Sequence, residues 1–225
     1  MLLAIDTSTR FVGVALHTGF QVLTEQVWSS HDYHTVELAP AVKQALARCS
    51  LKMSDLSALG VAIGPGSFTG LRIGMALAKG ISLARHLPLI GVPTLDVLAS
   101  AQPVMDLPLI AALRAGRGRL AVRQYRAVSD AWAAAGEVEL LTAQALSAGI
   151  SQPTLVCGEF TAEERQLLAR KRVNVALASP AQSVRRPSYL AELAWRRWQS
   201  GEADDPATLS PFYLHYHASN ANHGA

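Results

Sequence analysis

Residues 1–28 place three β-type runs in succession, 3–6, 12–17 and 21–28, joined only by short turns such as Thr18-Gly19. Links that short leave no room for a crossover connection, so the three runs form an antiparallel meander. A helical pattern follows at 34–49, with Leu38, Val42, Ala45, Leu46 and Cys49 on one side. Pro40 falls early in it, so the helix starts near that residue or kinks there. The apolar run 59–63 reads as a buried strand ending in Gly-Pro-Gly, and 69–86 is the longest helical pattern in the chain. Residues 89–92 add a short fifth strand.

The order β-β-β-α-β-α-β resembles the half-unit of the actin-like, or sugar kinase–Hsp70, architecture. A second half follows, with strands at 109–113, 119–126, 138–141 and 154–157 and helices at 143–148 and 161–171. The fold expected is α/β and two-lobed, each lobe a mixed five-stranded sheet with helices. The first lobe spans 1–102 and is completed by 207–218, while the second spans 103–206, with Pro103 and Pro108 in the linker. Residues 189–198 read as a helix and 211–216 as a final extended strap.

Composition narrows the function classes. Half of the residues are hydrophobic and only 16% are charged, so part of the apolar surface is expected to be covered by another chain. Every apolar run is interrupted before reaching the length of a membrane span, and the opening MLLAIDTSTR reads as a strand in place of a secretion signal. Cys49 and Cys157 lie far apart without neighbouring metal-type ligands, which fits buried thiols in a cytoplasmic protein. The net charge of +3 is uneven: 101–200 holds thirteen Lys/Arg against eight Asp/Glu, an excess that permits nucleic-acid contact without requiring it.

Two segments carry chemistry. Asp6-Thr7-Ser8 closes the first strand on a tight turn, where a carboxylate beside backbone and hydroxyl donors suits a phosphate and its Mg2+. The same residues also suit an ordinary hairpin that bonds its own backbone. The segment Gly64-Pro-Gly-Ser-Phe-Thr-Gly-Leu-Arg-Ile-Gly74 runs from a buried strand into the long helix. Gly70, Gly74 and Ala78 form a smooth stripe there, fitting close approach of another helix, either across a subunit boundary or within the chain. Catalytic readings of this segment fail on spacing. Lys79 is misplaced for a P-loop, and Pro65 and Thr69 stand where a nucleophile elbow around Ser67 needs glycine. His31/His34 and His215/His217 lack the ligand spacing of a metal site, so no metal is expected.

The eleven-residue glycine segment resembles the signature run of the TsaB family, paralogues of the tRNA threonylcarbamoyltransferase TsaD. The opening LLAIDTST and His34-Thr-Val-Glu-Leu-Ala-Pro40 are similar to the same family. The resemblance covers residues 1–100. It implies an actin-like fold and a non-catalytic subunit that pairs with TsaD and TsaE, meeting tRNA through that complex. The implied reaction is threonylcarbamoylation of the adenosine 3′ to the anticodon. The pairing surface expected is Leu38, Val42, Leu46, Gly70, Ile73, Gly74 and Leu77, with self-association as a homodimer when no partner is present. No intrinsic cofactor is implied, with ATP or ADP a candidate at the partner interface. The alternative is an actin-like ATPase or small-molecule kinase using Asp6.

The second half departs from the family pattern. Where members often read Asp-Ala-Arg-x-Gly-Glu-Val-Tyr, this chain has Arg114-Ala-Gly-Arg-Gly-Arg-Leu-Ala121. If 117–126 is one strand, Arg117, Arg119 and Arg123 share a face that fits either tRNA phosphates or bulk solvent.

Overall fold

The computed structural model describes residues 1–30 and 34–214. Strands β1 (Leu2–Asp6), β2 (Phe11–His17) and β3 (Val22–Ser29) form the expected meander, with Leu2 opposite His17 and Asp6 opposite Gly13. Helix α1 (His34–Arg48) runs through Pro40 and leads to β4 (Ala58–Gly64). Helix α2 (Phe68–Arg85) returns the chain to β5 (Leu89–Pro93), and both new strands join in parallel, for the order β3-β2-β1-β4-β5.

Every residue of β1 is buried, because the sheet is covered on both faces. Its side chains alternate. Leu3 and Ile5 enter a core with Leu38, Val42 and Leu46 of α1 and Met75 of α2. Burying a leucine of this kind contributes about 2 kcal/mol.

Helix α3 (Thr94–Ser100) follows β5 without a break, where sequence reasoning expects no helix. Five of its seven residues are buried, on more than one face, so no helical period sets them apart from the strand before them. Val97 packs with the first lobe, while Leu95, Leu98 and Ala99 enter the core of the second.

The second sheet contains β6 (Leu109–Arg114), β7 (Leu120–Val128), β8 (Ala131–Ala134), β9 (Glu139–Leu141), β10 (Thr154–Gly158) and β11 (Val175–Leu177). Its order is β11-β10-β6-β7-β8, with β9 on the free half of β7, so it holds six strands where five are expected. Strands β8 and β11 are short and half-exposed, and an apolar pattern of that length is too brief to read. Helices α4 (Ala143–Gly149) and α5 (Ala162–Ala169) cover one face.

Helix α6 (Pro187–Gln199) revises the expected boundary. The division at 103–206 assigns it to the second lobe, yet Leu190, Ala191 and Ala194 pack against Leu2, Ala4, Ala15 and Ile90 of the first sheet. Small side chains at Ala191 and Ala194 let the helix lie close to Gly60, which leaves room beneath Ala194. The chain then stays with the first lobe. Asp204 accepts the Gly91 N–H at 2.7 Å, and the Phe212 N–H donates to Ile63 O at 2.6 Å.

His17 links the meander to α6. Its Nδ1 accepts the Gly19 N–H at 3.0 Å and its ring meets Trp195 edge-on, with centroids 5.6 Å apart. Burial lowers its pKa below the ordinary histidine value, only partly opposed by Glu192. The unfolded chain therefore takes up this proton first as pH falls. Stability from His17 is complete above the unfolded value near 6.5, declines below it, and levels off past the lower folded value. Thermal melts at pH 7.5 and 5.5 are expected to show a smaller drop for His17→Gln than for the parent chain.

Candidate functional site

The glycine segment exists to let helix α2 sit on the β1–β2 turn. Thr7 Oγ1 donates to Gly70 O at 2.7 Å, and the Ser67 N–H donates to Ser8 O at 2.6 Å. A Cβ on Gly66 would strike Ser8 O, one on Gly70 would strike Thr7 O, and one on Gly74 would strike Thr7 Oγ1. Ser67 caps α2 by accepting the Gly70 N–H at 3.3 Å. Thr94 at the start of α3 completes the junction, its Oγ1 2.9 Å from Ser8 Oγ and 3.0 Å from the Gly64 nitrogen, whose N–H it accepts. Strand end, helix start and lobe junction thus converge on one turn.

Asp6, Thr7 and Ser8 are buried, and each is bonded within the chain. Asp6 Oδ1 accepts the Ser8 N–H at 2.8 Å, and Oδ2 accepts from Arg185 Nε at 2.9 Å. The expectation that these three residues receive a phosphate and Mg2+ is therefore revised. Helix α2 and the Gly64–Ser67 turn occupy the space above Thr7 and Ser8, and a guanidinium stands where a metal would meet Asp6.

Arg185 is 3% exposed and holds both lobes. Nη1 donates to Thr9 Oγ1 at 3.0 Å and to the Glu159 carboxylate, and Nη2 donates to Phe11 O at 3.1 Å. Burial acts to lower its pKa, and the charges of Asp6 and Glu159 outweigh that and raise it above the usual arginine value. Sequence reasoning passed over Arg185. It sits in a loop between Val184 and Arg186, and nothing local tells a buried arginine from an exposed one.

The arginine-rich strand is also revised. Arg117 lies exposed in the turn between β6 and β7 with φ +50, and β7 begins only at Leu120. Arg123 points inward to Asp96 at 3.4 Å and to Gly136 O at 3.0 Å. Tyr125 shares Asp96 through its hydroxyl at 2.7 Å, and burial, with Asp96 beside it, pushes the phenol pKa well up. Arg119 is half-buried at the strand entrance. Hence the three arginines do not form one face: the intervening Gly116–Gly118 turn breaks the strand period, and Asp96 takes Arg123.

Most of the expected pairing surface is interior. Leu38, Val42 and Leu46 belong to the first lobe's core, and Gly70 and Gly74 lie against Thr7. Ile73 and Leu77 remain half-exposed on an open apolar groove of about 500 Å3 between α1 and α2. Thr35, Leu38, Ala39, Phe68, Thr69, Arg72 and Ala76 complete its walls. Ala39, Arg72 and Ala76 each adjoin a residue that was expected to pair, and a helix turns about 100° per residue. Of the expected residues, Leu38, Ile73 and Leu77 line the groove. Phe68 is 54% exposed at the groove's end, where Arg72 lies 3.8 Å above its ring and donates through Nε to Tyr213 Oη at 3.1 Å.

The described residues hold no group of three or more His, Cys, Asp or Glu side chains placed to hold a metal ion. His34 Nε2 lies 3.1 Å from Thr9 O, while His31, His215 and His217 fall outside the described residues. Cys49 is half-buried and Cys157 buried, both as free thiols, and burial pushes the Cys157 thiol well up. Among the described residues, no helix is long and apolar enough to cross a membrane.

Comparison with known proteins agrees with this architecture. Residues 21–183 match the family model described as tRNA N6-adenosine threonylcarbamoyltransferase, TsaD. The tRNA threonylcarbamoyladenosine biosynthesis protein TsaB of Bacillus subtilis is 31% identical over 217 residues, covering 95% of this chain and 93% of that protein. The protein of the same name from Escherichia coli K12 is 40% identical over 98 residues, 44% of this chain and 42% of its own. Among solved structures, a Pseudomonas aeruginosa protein described as similar to peptidase YeaZ superposes with a TM-score of 0.79 at 23% identity, covering 95% of this chain and 99% of its own. The ethanolamine utilization protein EutJ of Carboxydothermus hydrogenoformans superposes with a TM-score of 0.50 at 14% identity, over 84% of this chain and 88% of its own. The fold is the actin-like one.

Two substitutions separate these roles. Asp6→Ala leaves Arg185 with less compensation in a buried site and is expected to cost about 3–5 kcal/mol in urea denaturation. Gly74→Leu overpacks the α2–turn contact and is expected to lower stability by about 1–3 kcal/mol or more in the isolated chain, whether or not a partner is present.

Proposed function

The chain belongs to the TsaB family of tRNA threonylcarbamoyladenosine biosynthesis proteins, and from that premise we propose that it serves as a non-catalytic subunit docking a TsaD-type transferase. The observation that carries this reading is the groove between α1 and α2, open and apolar beside a turn whose functional groups are all engaged internally. A helix of the transferase lies between Thr35 and Ala39 on one side and Ile73, Ala76 and Leu77 on the other. Small residues at Ala39 and Ala76 permit close helix approach, and Phe68 supplies a large anchor at the end. Docking holds the transferase's cleft in its working shape. TsaE joins the assembly, and tRNA is met through it.

The same groove pairs two copies of this chain when the transferase is absent, because an apolar helix face left open is satisfied by any matching face. Any ATP or ADP that tunes the assembly belongs at the docked interface, since Asp6 is committed to Arg185. That commitment also weakens the alternative of an Asp6-dependent ATPase or kinase. The place of work is the cytoplasm, where tRNA is modified.

Ala76 is exposed and faces the groove, so it tests docking without touching the core. Ala76→Glu places a charge in the proposed contact and is expected to weaken copurification with the transferase by about a hundredfold. Its melting temperature is expected to stay within about 2 °C of the parent chain. Undiminished pairing would overturn the groove as the docking surface.

A further inference from the structure

The helices that form the apolar groove are basic. Lys43 and Arg48 in α1, with Arg72, Lys79 and Arg85 in α2, stand against a single acid, Glu37. Glu37 lies on another flank of α1, where it accepts from Trp28 Nε1 at 2.9 Å. Three of the cations border the groove itself. Arg72 is part of its wall. Lys79 follows Ala76 by three residues and Lys43 follows Ala39 by four, spacings that keep each on the groove side of its helix. Among the described residues none of the three forms an ion pair. Arg72 is held by the Phe68 ring at 3.8 Å and by the Tyr213 hydroxyl at 3.1 Å, so its place is fixed by neutral groups and its charge is left uncompensated.

Cations along the border of an apolar seam discriminate among the helices that could fill it. A second copy of this chain brings the same cations to the same seam, because a two-fold interface repeats each patch on both sides. A helix whose apolar stripe is flanked by carboxylates meets them with opposite charge. We propose that the groove is built for such an acid-flanked helix, and that Lys43, Arg72 and Lys79 hold self-pairing of this chain weaker than pairing with it. The inference rests on the docking reading and names the chemistry of the transferase helix that fits. Arg72 donates its terminal nitrogens to one carboxylate at the groove's end, a charge-assisted contact that a second copy does not supply there. Salt therefore acts in opposite directions on the two associations: screening weakens docking of the acidic helix and relieves the repulsion between two copies.

The test compares two associations of the full chain between about 50 and about 500 mM NaCl: self-association by sedimentation, and binding of the TsaD-type transferase by calorimetry. Transferase affinity is expected to fall by about tenfold over that range, while self-association tightens. Lys43→Glu/Lys79→Glu reverses two border charges and leaves the contacts of Arg72 in place. Its melting temperature is expected to stay within about 2 °C of the parent chain. At low salt it is expected to weaken transferase binding by about tenfold or more and to tighten self-association. Damage to the fold would weaken both, so the opposite signs identify charge as the cause. A double variant that moves both associations in the same direction would overturn the proposal. Transferase binding that Ala76→Glu abolishes and salt leaves unchanged overturns the charge selectivity alone. Binding that Ala76→Glu leaves intact overturns the docking groove, and this inference with it.

Discussion

The guanidinium of Arg185, buried between Asp6 and Glu159, is the contact on which the arrangement of the two lobes rests. It ties the end of β1 to the loop after β10, and its remaining donors reach Thr9 and the Phe11 carbonyl. Taking three charged groups from water is costly, and only dense hydrogen bonding offsets it. Replacement of the whole set by apolar residues could be tolerated. Loss of one member could not, because the others would remain buried and uncompensated. The network therefore acts more as a constraint on geometry than as a source of net stability.

That constraint decides what the neighbouring turn can do. An aspartate at the end of the first strand invites metal and phosphate chemistry, but here the carboxylate, both hydroxyls and the backbone are spoken for by Arg185, Gly70, Thr94 and Ser67. The glycine run serves the same purpose. Gly66, Gly70 and Gly74 bring loop and helix down onto Thr7 and Ser8 where no side chain would fit. Chemistry is closed off at the turn while apolar surface is left open on the outer side of α1 and α2.

Much of the fold was legible in the sequence because periodicity reports burial directly. The meander and both long helices are carried by alternation or by a 3.6-residue period, and β4 by a continuous apolar run. Helix α3 was not, since Thr94, Leu95, Val97, Leu98 and Ala99 face two cores and show no single stripe. The place of α6 was not legible either: an amphipathic pattern states that a helix packs, without stating on which sheet. At the site, residue types were read correctly and their partners were not. A Gly-x-x-x-Gly stripe announces close approach, yet it was the chain's own turn that approached. Arg185 and its two carboxylates are 179 and 26 residues apart, a distance no local pattern spans.

The account treats this chain as a subunit whose outer groove, and not its β1–β2 turn, supports tRNA modification. Reconstituting tRNA threonylcarbamoylation from the organism's own TsaD and TsaE, with TsaC as the source of threonylcarbamoyl-adenylate and with this chain omitted, added, or added as Ala76→Glu, tests that claim most directly. The account predicts modification only with the unaltered chain, and none when the chain is supplied with TsaC but without TsaD. Full modification without the chain would contradict it, as would modification by this chain and TsaC alone.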